Sequence, residues 1–171
     1  MRPDNDRPLY LDDLFVGQRF TSQAHEVDEA QIFAFARQFD PQPFHLDHEA
    51  AQDTIFGGLA ASGWHTAAIT MRLLVGERAP FAGGIVGAGA EVGWPGPTRP
   101  GDVLRVVSEV VDISPSRSKP DRGIATLRNE TLNQRGEVRQ VMTAKLVVPR
   151  RPPTTVAASE CGAASSPAGV S

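Results

Sequence analysis

Ser62-Gly63-Trp64-His65-Thr66-Ala67-Ala68-Ile69-Thr70-Met71-Arg72-Leu73-Leu74-Val75 is the stretch on which the fold turns. Ser62 suits a helix start, because its hydroxyl can accept from a backbone N–H that the first turn leaves unpaired. Trp64, Ala67, Ala68, Met71, Leu74 and Val75 then recur at the helical period, and Ile69 and Leu73 widen the stripe. Polar residues are few until Arg72, Glu77 and Arg78. A helix apolar on most sides is a buried one, so another part of the chain must wrap it.

The second half supplies the wrapping. Ile85–Trp94 is glycine-rich and extended; Pro95-Gly96-Pro97 and Arg99-Pro100-Gly101-Asp102 make a turn into the β-branched run Val103–Ile113. Ser114–Gly123 is a polar connection, and Ile124–Leu132 and Val138–Val148 flank Asn133-Gln134-Arg135-Gly136, a hairpin loop ending in glycine. In the last strand Val138, Met142, Ala144, Leu146 and Val148 share one face, with Gln140 its single polar member. Upstream, Tyr10–Val16 reads as a turn or short helical piece, and Gln18–Val27 as a strand. A helix follows, capped by Asp28 with Gln31 three residues on, and carried by Ile32, Phe35, Ala36 and Phe39. Pro41 ends it. His48–Gln52 reads as another short helical piece. A strand, then helices, then long antiparallel strands is an α+β order. A curved antiparallel sheet around one long central helix satisfies it as a single hot-dog domain, expected over residues 9–149. Residues 150–171, rich in Pro, Ser, Ala and Gly, are expected to be a disordered tail.

Composition removes several classes of function. A net charge of −3 and a pI near 5.8, without a basic cluster, argue against a nucleic-acid partner. One cysteine, Cys161, precludes an internal disulfide and makes a reducing, cytoplasmic setting the default. No apolar run approaches the roughly 18–20 residues that span a bilayer, and MRPDNDRP is too polar for a signal peptide, so no membrane association is expected.

Chemistry concentrates in Phe39-Asp40-Pro41-Gln42-Pro43-Phe44-His45-Leu46-Asp47. Two prolines stiffen a segment that carries an acid and an imidazole, and they push Asp40 and Gln42 out of helical conformation. A carboxylate beside a histidine can hold a water and move its protons; equally, Asp40 can cap a turn and His45 sit at the surface. Gly63, at the head of the central helix, can offer an unobstructed N–H to a developing oxyanion, or can simply allow close packing. A metal site at His45, Asp47 and His48 lacks a second ligand cluster, so none is expected. Ser62 with His65 lacks the setting of a nucleophile elbow and reads better as a helix cap and a core or interface histidine. Phe44, Trp64 and Trp94 can line an acyl pocket. Arg117, Lys119 and Arg122 can clasp coenzyme phosphates or form a solvated loop.

Asp40–His45 resembles the D-x-N-P-x-H motif of the MaoC-like dehydratases, the family that includes (R)-specific enoyl-CoA hydratases. Gln42 stands where that family commonly has Asn. Ala60-Ala61-Ser62-Gly63-Trp64 is similar to its small-x-His-Gly-apolar segment, with Ser62 in the place of His, and Arg99-Pro100-Gly101-Asp102-Val103 is similar to its turn into a long strand. The resemblance covers roughly residues 10–148. It implies a hot-dog homodimer, or a higher oligomer, with its site near the subunit interface. The activity implied is hydration and dehydration of a 2-enoyl coenzyme A thioester, with Asp40 and His45 holding the water and Gly63 N–H taking the oxyanion. Ser62, Trp64, Phe44, Arg117, Lys119 and Arg122 are then the substrate-binding candidates. No cofactor is implied, because the thioester supplies the activation. A hot-dog thioesterase and a non-catalytic acyl-CoA-binding module are the alternatives.

Overall fold

A computed structural model describes residues 7–76 and 81–153. Glu77, Arg78 and Cys161, like most of the expected tail, lie outside the described residues. A 3-10 turn, Leu11–Asp13, opens the chain, followed by β1 (Arg19–Thr21), β2 (His25–Val27), α1 (Glu29–Phe39), α2 (Pro43–Leu46), α3 (His48–Gln52), α4 (Gly63–Val75), β3 (Val86–Gly93), β4 (Asp102–Pro115), β5 (Arg122–Leu132) and β6 (Val138–Pro149). The strands form one antiparallel sheet in the order β1-β4-β5-β6-β3, with β2 continuing along β4. Helix α4 lies against β4 and β6, which is the hot-dog arrangement of an α+β fold.

The strand expected over 18–27 is interrupted. Between Thr21, opposite Val107, and His25, opposite Leu104, four residue steps face three on β4. Ser22 bridges the mismatch: its N–H donates to Val106 O (2.9 Å), and its Oγ accepts from Val106 N–H (2.8 Å). A side-chain oxygen stands in for a ladder carbonyl there, and the strand bends as it does at a bulge.

Two hydrophobic clusters hold the layers together. One joins Leu11, Leu14 and Phe81 to Val110, Leu127, Met142, Ala144, Leu146 and Val148 on the sheet; the other joins Val27, Ile32, Ala61, Ile69 and Leu104 beneath α1 and α4. The alternation read in β6 is present, with Gln140 fully buried on the inner face. Arg150 and Arg151, assigned to the tail by composition, turn back to Asp12 and Asp13, each at 2.7 Å.

Helix α4 corrects one expectation. Trp64 (62%), Met71 (44%) and Val75 (53%) of the anticipated inner stripe are exposed, and the buried face is His65, Thr66, Ile69 and Thr70. Hydrogen bonds across the layers make this possible: Thr66 Oγ1 donates to Thr98 Oγ1 (2.9 Å), and Thr70 and Thr131 share one between their hydroxyls (2.7 Å). A buried hydroxyl costs little once it is paired. The sheet therefore wraps the helix on one side of a single chain.

Candidate active site

Asp40 follows the last residue of α1, where Pro41 forbids another turn. Its φ of −150° and ψ of 69° are non-helical, and Gln42 is extended, as the prolines require. The stretch beyond, read from the sequence as a bent connection, is the single-turn helix α2, with Pro43 at its first position. This turn swings the His45 ring inward, where only 4% of the residue stays exposed, against the rings of Phe44 and Phe56.

The carboxylate and the imidazole face each other, with Asp40 Oδ2 3.4 Å from His45 Nε2. Each is held from behind. His45 Nδ1 donates to Ala60 O (2.7 Å), so the neutral ring presents an unprotonated Nε2 to Asp40. Asp40 Oδ2 accepts from Ser62 Oγ (2.6 Å), and Oδ1 accepts from Gln42 Nε2 (2.7 Å). Burial works to raise the Asp40 carboxyl. The bonds from Ser62 and Gln42, aided by His45 whenever its ring is protonated, outweigh it and hold the group below the ordinary carboxylate value. Gln42 and Ser62 are the two departures from the motif, and both converge on the same carboxylate.

Gly63 is the first residue of α4. The Ser62 hydroxyl caps the helix by accepting from Trp64 N–H (3.2 Å), and the Gly63 N–H has no acceptor among the described residues. It stands at the positive end of the helix dipole. Asp40, Gln42, Phe44, His45, Ser62, Gly63 and Trp64 line one cavity of about 480 Å³, together with Ile55, Phe56, Ala61, Thr66 and the segment Trp94–Thr98. Its buried end is small and polar, and its mouth is apolar and exposed.

Other candidates lie elsewhere. Arg117 and Lys119 belong to the β4–β5 connection and Arg122 opens β5, whereas the cavity lies beside the Asp102 end of β4, where Ala61 N–H donates to Thr98 O. Roughly 40 Å of strand separates the two ends. Arg122 pairs with Asp121 at 2.7 Å, and Arg117 and Lys119 are exposed. Within one chain these cations do not line the cavity. His45, Asp47 and His48 do not converge: Asp47 caps α3 through Ala50 N–H, and His48 pairs with Glu29 (2.9 Å). Among the described residues no three His, Cys, Asp or Glu side chains gather as metal ligands. His65 stacks on Phe35 at 4.7 Å, while Ser62 turns to Asp40, so the two form no nucleophile–base pair.

Arg99 is the positioning residue that the sequence reading did not single out as a site residue. Its guanidinium donates to Gly58 O (2.6 Å), Leu59 O (2.9 Å) and Phe56 O, and fixes the loop that delivers the Ala60 carbonyl to His45. The signal was Arg99-Pro100-Gly101-Asp102 itself: the buried Asp102 accepts from Arg99 N–H (2.9 Å), and so ties the guanidinium's strand turn in place.

No helix among the described residues is long and apolar enough to cross a membrane. Residues 15–132 match the model of the MaoC like domain. The chain is 37% identical over 130 residues to the uncharacterized protein YdeM of Bacillus subtilis, covering 74% of this chain and 89% of that one. It is 32% identical over 114 residues to a 3-hydroxybutyryl-CoA dehydratase of Methylorubrum extorquens, covering 66% and 71%. The crystal structure of a MaoC-like dehydratase from Rhodospirillum rubrum superposes with a TM-score of 0.82 at 64% identity, over 84% of this chain and 99% of that one. Asp40, His45 and Gly63 all fall inside the matched span, and with that coverage the chain belongs to the MaoC-like family of hydratases and dehydratases.

Proposed function

We propose that the protein is a hydro-lyase that reversibly adds water to the double bond of a 2-enoyl coenzyme A thioester, with Asp40, His45 and Gly63 as its catalytic groups. The observation that carries this reading is the facing pair Asp40 Oδ2 and His45 Nε2, 3.4 Å apart, in the same cavity as the unpartnered Gly63 N–H. A water held by both sits beside the β-carbon of a thioester whose carbonyl oxygen rests on that N–H.

The proton traffic follows from the hydrogen bonds. Asp40 is anionic and already accepts from Ser62 and Gln42, which makes it a weak base; His45 Nε2, with Nδ1–H fixed on Ala60 O, has the open lone pair. His45 takes a proton from the water as the oxygen bonds to the β-carbon, and Asp40 balances the imidazolium charge. The electron pair of the double bond moves toward the thioester oxygen, which Gly63 N–H and the helix dipole stabilise; a donor so placed contributes roughly 3–4 kcal/mol. The imidazolium returns the proton to the α-carbon. Atoms and charge balance without a cofactor, and dehydration is the reverse. Ser62 positions Asp40, and Phe44, Ile55, Phe56, Trp64 and Trp94 give the cavity an apolar lining for the acyl thioester. The relative that dehydrates 3-hydroxybutyryl-CoA supports a coenzyme A substrate.

The working unit we propose is a homodimer in the cytoplasm. Trp64, Met71 and Val75 leave an apolar stripe on α4, and among the described residues β3 pairs along one edge only, with β6; a second copy related by a twofold axis would cover both. Incubation with crotonyl-CoA and a set of longer and branched 2-enoyl-CoA thioesters tests the activity. Loss of the enoyl absorbance with formation of the 3-hydroxyacyl product is expected; a folded protein that hydrates none of them would refute the reading.

A further inference from the structure

Gln140 is the one polar residue on the buried face of β6, and it is fully buried. An amide in that position demands partners, because leaving one of its groups unpaired is costly. Both ends are engaged. Oε1 accepts from Trp94 Nε1–H (2.9 Å), and Nε2 donates to Thr70 Oγ1 (3.1 Å), which in turn shares a hydrogen bond with Thr131 Oγ1 (2.7 Å). Thr70 and Thr131 are fully buried as well. A hydrogen-bonded chain thus runs from the cavity wall, through the sheet's inner face, to the middle of α4.

Its outer end is the indole of Trp94. The ring lies against the Gly63 backbone so closely that a Cβ built on Gly63 would stand 2.8 Å from Cε2, and it packs in a T-shaped pair with Trp64, at 5.3 Å between ring centroids. The buried end of the cavity is closed by Thr66 and Thr98, joined at 2.9 Å, and by the Ala61 N–H bond to Thr98 O. An acyl group extending past the reacting carbons meets this polar floor. Beside that floor Trp94 lines the cavity, and Gln140, Thr70 and Thr131 are packed and hydrogen-bonded behind its indole N–H.

We infer that Trp94, pinned by Gln140, sets the acyl-size limit of the pocket and restricts it to short-chain thioesters. The inference rests on the hydratase reading for the position of the thioester. Trp94 is the specificity-determining wall, and Gln140, which does not line the cavity, is a positioning residue acting through it. Nothing in this arrangement moves a proton, so its signature is a change in preference between acyl groups, carried mainly by KM.

The test compares crotonyl-CoA with trans-2-octenoyl-CoA in the wild type, Trp94→Ala, Trp94→Phe and Gln140→Leu. The wild type is expected to favour the shorter substrate in kcat/KM by about a hundredfold, the scale on which pockets discriminate a few methylenes. Trp94→Ala should shrink that ratio at least tenfold through KM. Gln140→Leu should shrink it in the same direction, and so should Trp94→Phe, which keeps the ring but lacks the N–H. A ratio unchanged in Trp94→Ala, or a wild type that handles both substrates equally, would overturn the inference; a wild-type ratio retained in Trp94→Phe would remove the role of Gln140. Calorimetric binding of saturated butyryl-CoA and octanoyl-CoA separates this from the activity itself. If no thioester is hydrated but Trp94→Ala gains affinity for octanoyl-CoA alone, the wall stands and the hydratase reading falls; equal affinities in both proteins would overturn the wall.

Discussion

His45 and His65 are both buried, 4% and 6% exposed, on neighbouring pieces of the chain, yet their surroundings prepare them for opposite ends. His45 has a partner at each ring nitrogen: the Ala60 carbonyl fixes Nδ1, and Asp40 faces Nε2. His65 stacks flat on Phe35, and its Nδ1 has no hydrogen-bond partner among the described residues. Burial, helped by the charge of His25 and opposed by Asp28, lowers its pKa from 6.5 to about 4. What separates the histidine proposed for catalysis from the packing one is the partner set, since burial is the same for both.

The comparison breaks most visibly if the wrong histidine carries the activity. His45→Ala and Asp40→Asn are each expected to lower kcat by about 10² to 10⁴, measured as enoyl-CoA hydration with folding checked by circular dichroism. His65→Leu should leave kcat within about twofold.

The next largest effect concerns the helix that links the two sites. Gly63→Ala keeps the N–H but drives its new Cβ into the Trp94 ring, so a loss of roughly ten- to a hundredfold in kcat is expected, on the scale of small misplacements at a reacting centre. Wild-type turnover in this variant would mean that the Gly63–Trp94 contact does not matter to the chemistry.

Ser62→Ala removes one of the two donors to Asp40 and should cost roughly tenfold in kcat/KM. The carboxylate's own titration sharpens the point. Ser62 holds the Asp40 pKa down, so without it that pKa rises, and the Asp40 carboxyl signal followed by NMR should titrate at higher pH than in the wild type. A titration that stays in place would show that Ser62 does not hold the carboxylate.

The smallest effect is one of stability. His65 is neutral in the folded protein down to about pH 4, while the unfolded chain takes up its proton near pH 6.5. The stability it protects is complete above about pH 6.5 and is eroded as pH falls toward 4, by about 2 kcal/mol at pH 5. Urea midpoints for the wild type and His65→Leu at pH 7.5 and pH 5 should diverge by this difference; identical pH responses would contradict the assignment.

Much of this was legible in the sequence because it is local. Asp28 caps α1 at Gln31 N–H, Pro41 ends it, Ser62 caps α4, and the alternation of β6 marks its buried face, each within a few residues of the signal. The inner face of α4 was misread because hydropathy ranks Trp64 and Met71 above Thr66 and Thr70. The threonines go inside only because Thr98 and Thr131, 32 and 61 residues away in sequence, are there to pair with them. Arg99 acts across 40 and 41 residues on Leu59 and Gly58, so its place behind His45 has no local trace. Gln42 was visible only as a departure from a motif; its bond to Asp40 needs the turn that α2 imposes. Arg117, Lys119 and Arg122 illustrate the converse: a charge cluster is easy to see in a sequence, but its position depends on how far β4 runs.

The most direct test of the account is a single assay of crotonyl-CoA with the wild type, Asp40→Asn and His45→Ala, following both the enoyl group and free thiol. The account predicts rapid hydration to 3-hydroxybutyryl-CoA by the wild type, no release of coenzyme A, and a loss of about 10² to 10⁴ in both folded variants. Release of coenzyme A by the wild type, or hydration undiminished in the two variants, would contradict it.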